Sequence, residues 1–483
     1  MDEHVMSAES SSDVPSEPGL RRTLGTVTSI AIAFSAGGVS AGIYSLFGFS
    51  LATAGPAFLW GWVMVGIGTF LLCLMWSELA SHYPLAGVMY EWPRKISGAA
   101  SSWWVGWVYL FAMMFQLAGI YFILPAVVFP LLGVEGSTGG RLGIALVALV
   151  IAAIANIAAI EKVGRLVVIA TVAELVLIFG ITLAVLVLGH EQSPSVLFDP
   201  AVPGQSFSSW LPAFLGGGVF IGLWVLQSFE AGGAIGEETI DAPRRAPRAI
   251  LVGWAGSFFV GLFTIVAFLL AVPDFATIGS SANPVVDIID GSLAGWVGKV
   301  YLALLAMVIL LGANVVFTLV SRQMYGMARA GLLPFSAQLT RTHPRTGEPW
   351  CAVLATAVIT AVPFIFSDEF AVLATGATGA IYLVYFAMMC LLLKARLSGW
   401  PHDGAPMRLG RWGIPLNVLA LVYSGGMLVN LMWFRDATNP DWKLGIPVGI
   451  WLLAIPVLLG VVHQVAGRRR AGSVSASADR SGS

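Results

Sequence analysis

Apolar runs of membrane-spanning length recur along this chain, separated by short segments rich in Arg, Pro and Gly. A bilayer core about 30 Å thick takes about 20 apolar residues per helix. On that spacing the pattern predicts twelve spans, at about 26–49, 54–76, 100–131, 142–160, 166–188, 212–235, 249–272, 297–321, 350–366, 369–393, 413–434 and 445–466. The third is long enough to cross at a strong tilt. The Ser-rich residues 1–22 and 467–483 read as disordered tails, and nothing in the polar start reads as a cleavable signal peptide.

Two spans break the pattern from within. The first carries Ser35-Ala36-Gly37-Gly38-Val39-Ser40-Ala41-Gly42 at its centre, and the sixth carries Ala231-Gly232-Gly233 directly after an acid, Glu230. Each glycine costs a helix about 1 kcal/mol relative to alanine. One reading is close helix packing through small residues, which membranes favour. The other is a pair of interrupted helices. The two spans are five apart, and glycine-interrupted helices in corresponding positions of two halves point to the binding site of a secondary transporter.

Composition agrees with the span count. The 483 residues are 57% hydrophobic and 11% charged, with mean hydropathy +0.85. Soluble domains carry about 25% charged residues, so the chain reads as an all-α polytopic membrane protein. Its net charge of -1 gives no reason to expect a nucleic-acid partner. Cys73, Cys351 and Cys390 fall in apolar runs without disulfide or metal-ligand spacing and read as packing residues. With the N-terminus inside, the other segments hold only Arg141, Lys299, Arg435 and Lys443 of the 25 Lys and Arg. That positive-inside bias predicts an even number of spans with both tails cytoplasmic.

Of the acids, only Glu174 and Glu230 fall well inside predicted spans, and no mid-span Lys, Arg or His pairs with them. A central acid costs a membrane helix about 2.5–3.5 kcal/mol. Each must stay protonated or meet an arriving cation, such as a proton, a metal ion or an amine. For either one the structural alternative is a protonated acid bonded to a neighbouring helix. The six histidines lie in tails, loops or span ends, which argues against a metal site.

The stretch Phe229-Glu230-Ala231-Gly232-Gly233, Glu237-Glu238-Thr239, Pro243-Arg244 and Pro247-Arg248-Ala249-Ile250 resembles the sixth-span signature of the amino acid–polyamine–organocation (APC) superfamily. Ser77-Glu78-Leu79 through Glu91-Trp92 looks like that family's loop between spans two and three. Ser321-Arg322-Gln323 through Leu333-Pro334 looks like its cytoplasmic end of span eight. Ala33-Phe34-Ser35 and Val172-Ala173-Glu174 are most similar to the amino acid/choline transporter branch. The resemblance implies a LeuT-type fold in a domain over 23–466. Inverted five-helix repeats would cover about 24–190 and 210–395, with two peripheral helices at 413–466, and access would alternate around the breaks.

Carried over by position, Ser40-Ala41-Gly42-Ile43 falls on the family's Gly-Ser-Gly-Ile, where half-helix N–H groups hold a substrate carboxylate. The first Gly is Ser here, which points away from strict dependence on an α-carboxylate. Trp224 and Glu230 have the spacing of the gating tryptophan and acid of arginine–agmatine antiporters, and an ammonium over an indole gains about 0.5–2 kcal/mol. Trp224 reads otherwise as one more packing aromatic. Glu174 falls where proton-coupled relatives carry a lysine at the sodium-site position, so it is the expected coupling group. The implied substrate-binding set is Ser35, Gly38, Ser40, Ala41, Gly42, Trp224, Glu230 and Gly232. Depth and polarity alone add Gln116, Asn314 and Tyr382, with Tyr385, Asn156 and Asn430 as further polar residues; the alternative for each, and the one favoured over a ligand role, is a structural hydrogen-bonder.

The expected function is secondary transport of an amino acid or related amine, such as choline, ethanolamine, GABA or a polyamine, across the cytoplasmic membrane. It is expected to act as a monomer or homodimer, with no cofactor and with a proton gradient, or alternatively sodium, as the driving force. An exchanger is the alternative within that class. A membrane sensor, a channel and an intramembrane enzyme are the rivals outside it, and the last lacks a nucleophile–base pair at depth.

Overall fold

The computed structural model describes residues 26–85, 87–158, 163–198, 206–233, 239–344, 346–366, 369–401, 404–436, 438–441 and 443–481. The expected disordered segment 1–22, Glu237 and Glu238 lie outside them. Among the described residues the regular structure is helical apart from two isolated bridges near Arg435 and Asp441.

The chain begins with α1 (Thr26–Gly37) and α2 (Val39–Ala54), separated at Gly38, whose φ of 54° lies in the left-handed region. Only glycine adopts that conformation without steric cost, so the break is written into the sequence. A 3₁₀ turn (Gly55–Ala57) leads into α3 (Phe58–His82). A short α4 (Val88–Ser97) is followed by α5 (Ala99–Leu132), α6 (Thr138–Ala158) and α7 (Val163–Leu188).

The second irregular stretch comprises α8 (Phe207–Ala213), a π-helical turn (Phe214–Gly218), α9 (Phe220–Val225) and a 3₁₀ turn (Phe229–Gly232). Next come α10 (Ala242–Leu270), the short α11 (Phe275–Ser280) and α12 (Pro284–Ser292), α13 (Val297–Arg329) and α14 (Ser336–Leu339). The chain then forms α15 (Trp350–Thr360), α16 (Phe370–Leu397), α17 (Gly413–Met432) and α18 (Val448–Ser481).

Ten stretches among the described residues are long and apolar enough to cross a membrane. The difference from twelve has a local cause. The break leaves α1 with only 12 residues, α2 and α3 run on as one 44-residue stretch, and Trp350–Ile365 is short. One further expectation is corrected. The sixth span leaves the α-helix at Leu226–Ser228, before Glu230 and ahead of the glycines, where Ser228 takes the left-handed conformation (φ 64°). Helix α18 runs to Ser481.

Helix α5 runs through the centre, packed on α13 and α16, while α3 packs on α10. The two irregular stretches meet there: α1 lies against the 3₁₀ turn, and α2 lies against α9 and the π turn. The outward faces of α6 and α7 carry exposed Val147, Ile151, Ile154, Val176 and Leu183. An apolar exterior of this extent marks contact with lipid.

Candidate functional site

Two buried carboxylates stand at the two breaks. Glu230 is 0% exposed, and Tyr109 of α5 donates to its Oε1 at 3.0 Å. Tyr385 of α16 reaches Oε1 at 3.0 Å and Oε2 at 2.8 Å, and it accepts the Ser228 N–H at 2.8 Å. A backbone N–H can only donate, so the Tyr385 proton is directed at Glu230. The Ser228 hydroxyl in turn donates to Gln116 Oε1 at 3.1 Å. A polar chain therefore runs from Gln116 through Ser228 and Tyr385 to Glu230.

Glu174 of α7, 2% exposed, faces the start of α2. Its Oε1 accepts the Ser40 N–H at 3.1 Å and the Ser40 hydroxyl at 2.9 Å. The first N–H groups of a helix have no partner within it, and the aligned peptide dipoles make that end positive. Tyr301 of α13 lies within electrostatic reach of the same carboxylate and packs on Tyr44 at 6.1 Å. Neither Glu174 nor Glu230 has a cationic partner among the described residues.

Between the breaks lies a cavity of about 40 Å³, lined by Gly38, Ala41, Gln116, Glu174 and Trp224 with aliphatic side chains from α5 and α13. That volume holds roughly three waters, so a solute of amino-acid size enters only after the helices move apart. Trp224, 3% exposed, is set edge-on against Phe370 at 5.3 Å. The other side of its indole needs the bare backbone of Gly119, where an added Cβ would stand 2.6 Å from the ring.

The structure thus gathers Gly38, Ala41, Gln116, Glu174 and Trp224 at the cavity, with Ser40 behind Glu174. Gly42 lies against the Trp224 and Val225 side chains, and Gly232 packs on Ala33. Glu230 is sealed behind Tyr109 and Tyr385 and is not part of the cavity wall. The Ser35 side chain lies outside what the structure describes.

Two proposed ligands are directed elsewhere. Asn314 accepts from Asn156 at 2.8 Å and so links α13 to α6. Tyr382 bonds Tyr423 of α17 at 2.8 Å. Both satisfy their polar groups between helices, as buried polar groups must. Asn430 likewise donates to the Leu215 carbonyl.

Sequence reasoning overlooked Tyr109, Ser228 and Gln227. Gln227 is 1% exposed with both amide ends unpartnered among the described residues. Its place two residues before the Phe-Glu pair was the available signal. Reasoning from depth also overlooked Glu78, which is buried in an ion pair with Arg396 and accepts the Leu409 N–H at 2.9 Å. Both lie at helix ends that extend past the predicted spans.

Two interrupted helices facing each other inside a lipid-facing bundle, with a small, mostly apolar cavity between them that holds Gln116 and Glu174, define a membrane protein built to enclose a small solute. The pattern of the family described as amino acid permease matches residues 24–461, and the chain belongs to that family, within the APC superfamily. It is similar to a branched-chain amino acid permease of Bacillus subtilis, at 24% identity over 89% of this chain and 92% of that protein. It is also similar to an amino-acid permease of Arabidopsis thaliana, at 23% identity over 84% of each chain. A GABA-specific permease of Saccharomyces cerevisiae is 26% identical over 70% of this chain and 62% of its own length. The protein is accordingly a multi-pass membrane transport protein and not an enzyme.

Proposed function

We propose that the protein is a secondary active transporter of amine-bearing solutes, driven by a proton gradient, that alternates access at the breaks after α1 and α9. One observation carries this reading: a buried carboxylate without a cationic partner among the described residues stands at each of the two breaks, and one of them, Glu174, lines the small cavity between the breaks. Such a pair suits a cation that arrives and leaves. Glu174 is the coupling group. Trp224 covers the solute, and Glu230 senses it through the chain from Gln116.

Twelve crossings in two inverted repeats fit this reading. The stretch Val39–His82 would be about 66 Å long as straight helix, twice the hydrocarbon core, and so counts as two crossings. Neighbours five spans apart pack together, α3 on α10 and α5 on α13, which supports equivalent halves. Both tails are cytoplasmic on the charge distribution, in the cytoplasmic membrane.

The test is uptake into proteoliposomes under an imposed pH gradient, across a panel of amino acids and amines. Accumulation of at least one solute is expected, and it should collapse when a protonophore is added. Glu174→Gln abolishes gradient-driven accumulation. An unchanged pH dependence in that variant returns Glu174 to a packing role. If no solute is taken up or bound, the transporter reading falls.

A further inference from the structure

Resting on the transporter reading, we infer that Glu174 is the resident anion of the α2 N-terminus, so that the transported solute is an amine needing no carboxylate of its own. A helix N-terminus inside a membrane attracts an anion, because its free N–H groups and its dipole both favour negative charge. In this chain that place is taken. The Ser40 N–H and the Ser40 hydroxyl both point to Glu174 Oε1, at 3.1 and 2.9 Å, from a residue 134 positions away on α7. A solute carboxylate at the same donors would have to displace Glu174 or lie against a like charge.

The remaining wall fits the opposite end of a solute. Glu174 itself lines the cavity and has no cationic partner among the described residues. Trp224 adds an indole, which attracts ammonium groups, and Gln116 directs its carbonyl to Ser228. Ile120, Ile123, Val308 and Val316 make the rest aliphatic. One anionic end and an apolar body suit a primary or quaternary amine on a short hydrocarbon chain. A zwitterion's own carboxylate would be left with the neutral Gln116 amide and Trp224 indole N–H as donors, in place of the Ser40 groups that Glu174 holds.

Matched probes separate the possibilities. Lysine is compared with 1,5-diaminopentane, γ-aminobutyrate with butylamine, and leucine with its methyl ester. Binding is read by thermal shift in detergent and transport by proteoliposome uptake, in the wild type, Glu174→Gln and Glu174→Ala. In the wild type the member without a carboxylate is expected to bind at least tenfold more tightly. Glu174→Gln, which keeps the shape, should lose that member by tenfold or more. Glu174→Ala, which frees the donors, should shift the preference toward the carboxylated member, and added acetate should restore amine binding. Preference of the wild type for the carboxylated members overturns the inference while leaving the transporter reading intact. Unchanged amine binding in the folded Glu174→Gln protein also overturns it. If no probe is bound or taken up by wild type, the transporter reading itself fails and the inference goes with it.

Discussion

Replacing Tyr385 by Phe removes one oxygen from the centre of the site and leaves the ring in place. That oxygen does two things, donating to Glu230 and accepting the Ser228 N–H. A hydrogen bond to a charged group contributes about 1.5–3 kcal/mol, and a buried N–H left unpaired costs about 1–3 kcal/mol. Tyr385→Phe is therefore expected to cost about 2.5–6 kcal/mol on these figures. Tyr109→Phe removes only the single bond at 3.0 Å and is expected to cost about 1.5–3 kcal/mol.

Bonds between membrane helices measured by double-mutant cycles run lower, averaging about 0.6 kcal/mol. The order of the two variants, rather than either absolute figure, carries the test. Freed from Tyr385, Ser228 loses the acceptor that holds its left-handed backbone, and the segment between Trp224 and Glu230 loosens. The assay is denaturant unfolding in detergent for both single variants and the double, with solute KM measured in parallel. Tyr385→Phe should be the less stable single variant and should raise KM more than Tyr109→Phe. The two effects should be non-additive, because both hydroxyls serve one carboxylate. Equal stability and equal KM in the two single variants would refute the polar chain.

Glu230→Gln should reduce transport by at least tenfold while the protein still inserts, and wild-type uptake kinetics would remove Glu230 from the site. Glu78→Gln leaves Arg396 buried without its counter-charge, which costs about 3–5 kcal/mol; thermal unfolding should show it, and Glu78→Gln/Arg396→Gln should recover part of the loss. Gly119→Ala pushes a Cβ to 2.6 Å from the Trp224 ring. Overpacking of that kind costs about 1–3 kcal/mol, so solute affinity should fall with little change in membrane insertion, as read by uptake and by size-exclusion profile.

The all-helical, membrane-spanning character was legible in the chain because a bilayer imposes it. Spans of about 20 apolar residues are required by hydrocarbon thickness, and Gly37-Gly38 marked the first break because only glycine takes a left-handed turn freely. The two acids were legible too, since an acid at depth is costly enough to be rare. The second break was misplaced by several residues because Ser228 is not a residue type that announces a left-handed turn. Its conformation is held by Tyr385, from a helix 157 positions away.

What only the tertiary structure decided is partnership. Sequence placed Asn314 and Tyr382 at plausible depth, yet helix rotation turned one to Asn156 and the other to Tyr423. It placed Ser40 and Glu174 on different spans without saying that they touch. Depth along a span follows from counting residues, because the rise per residue is fixed. The direction a side chain faces depends on how neighbouring helices pack, and that is set by the whole bundle at once.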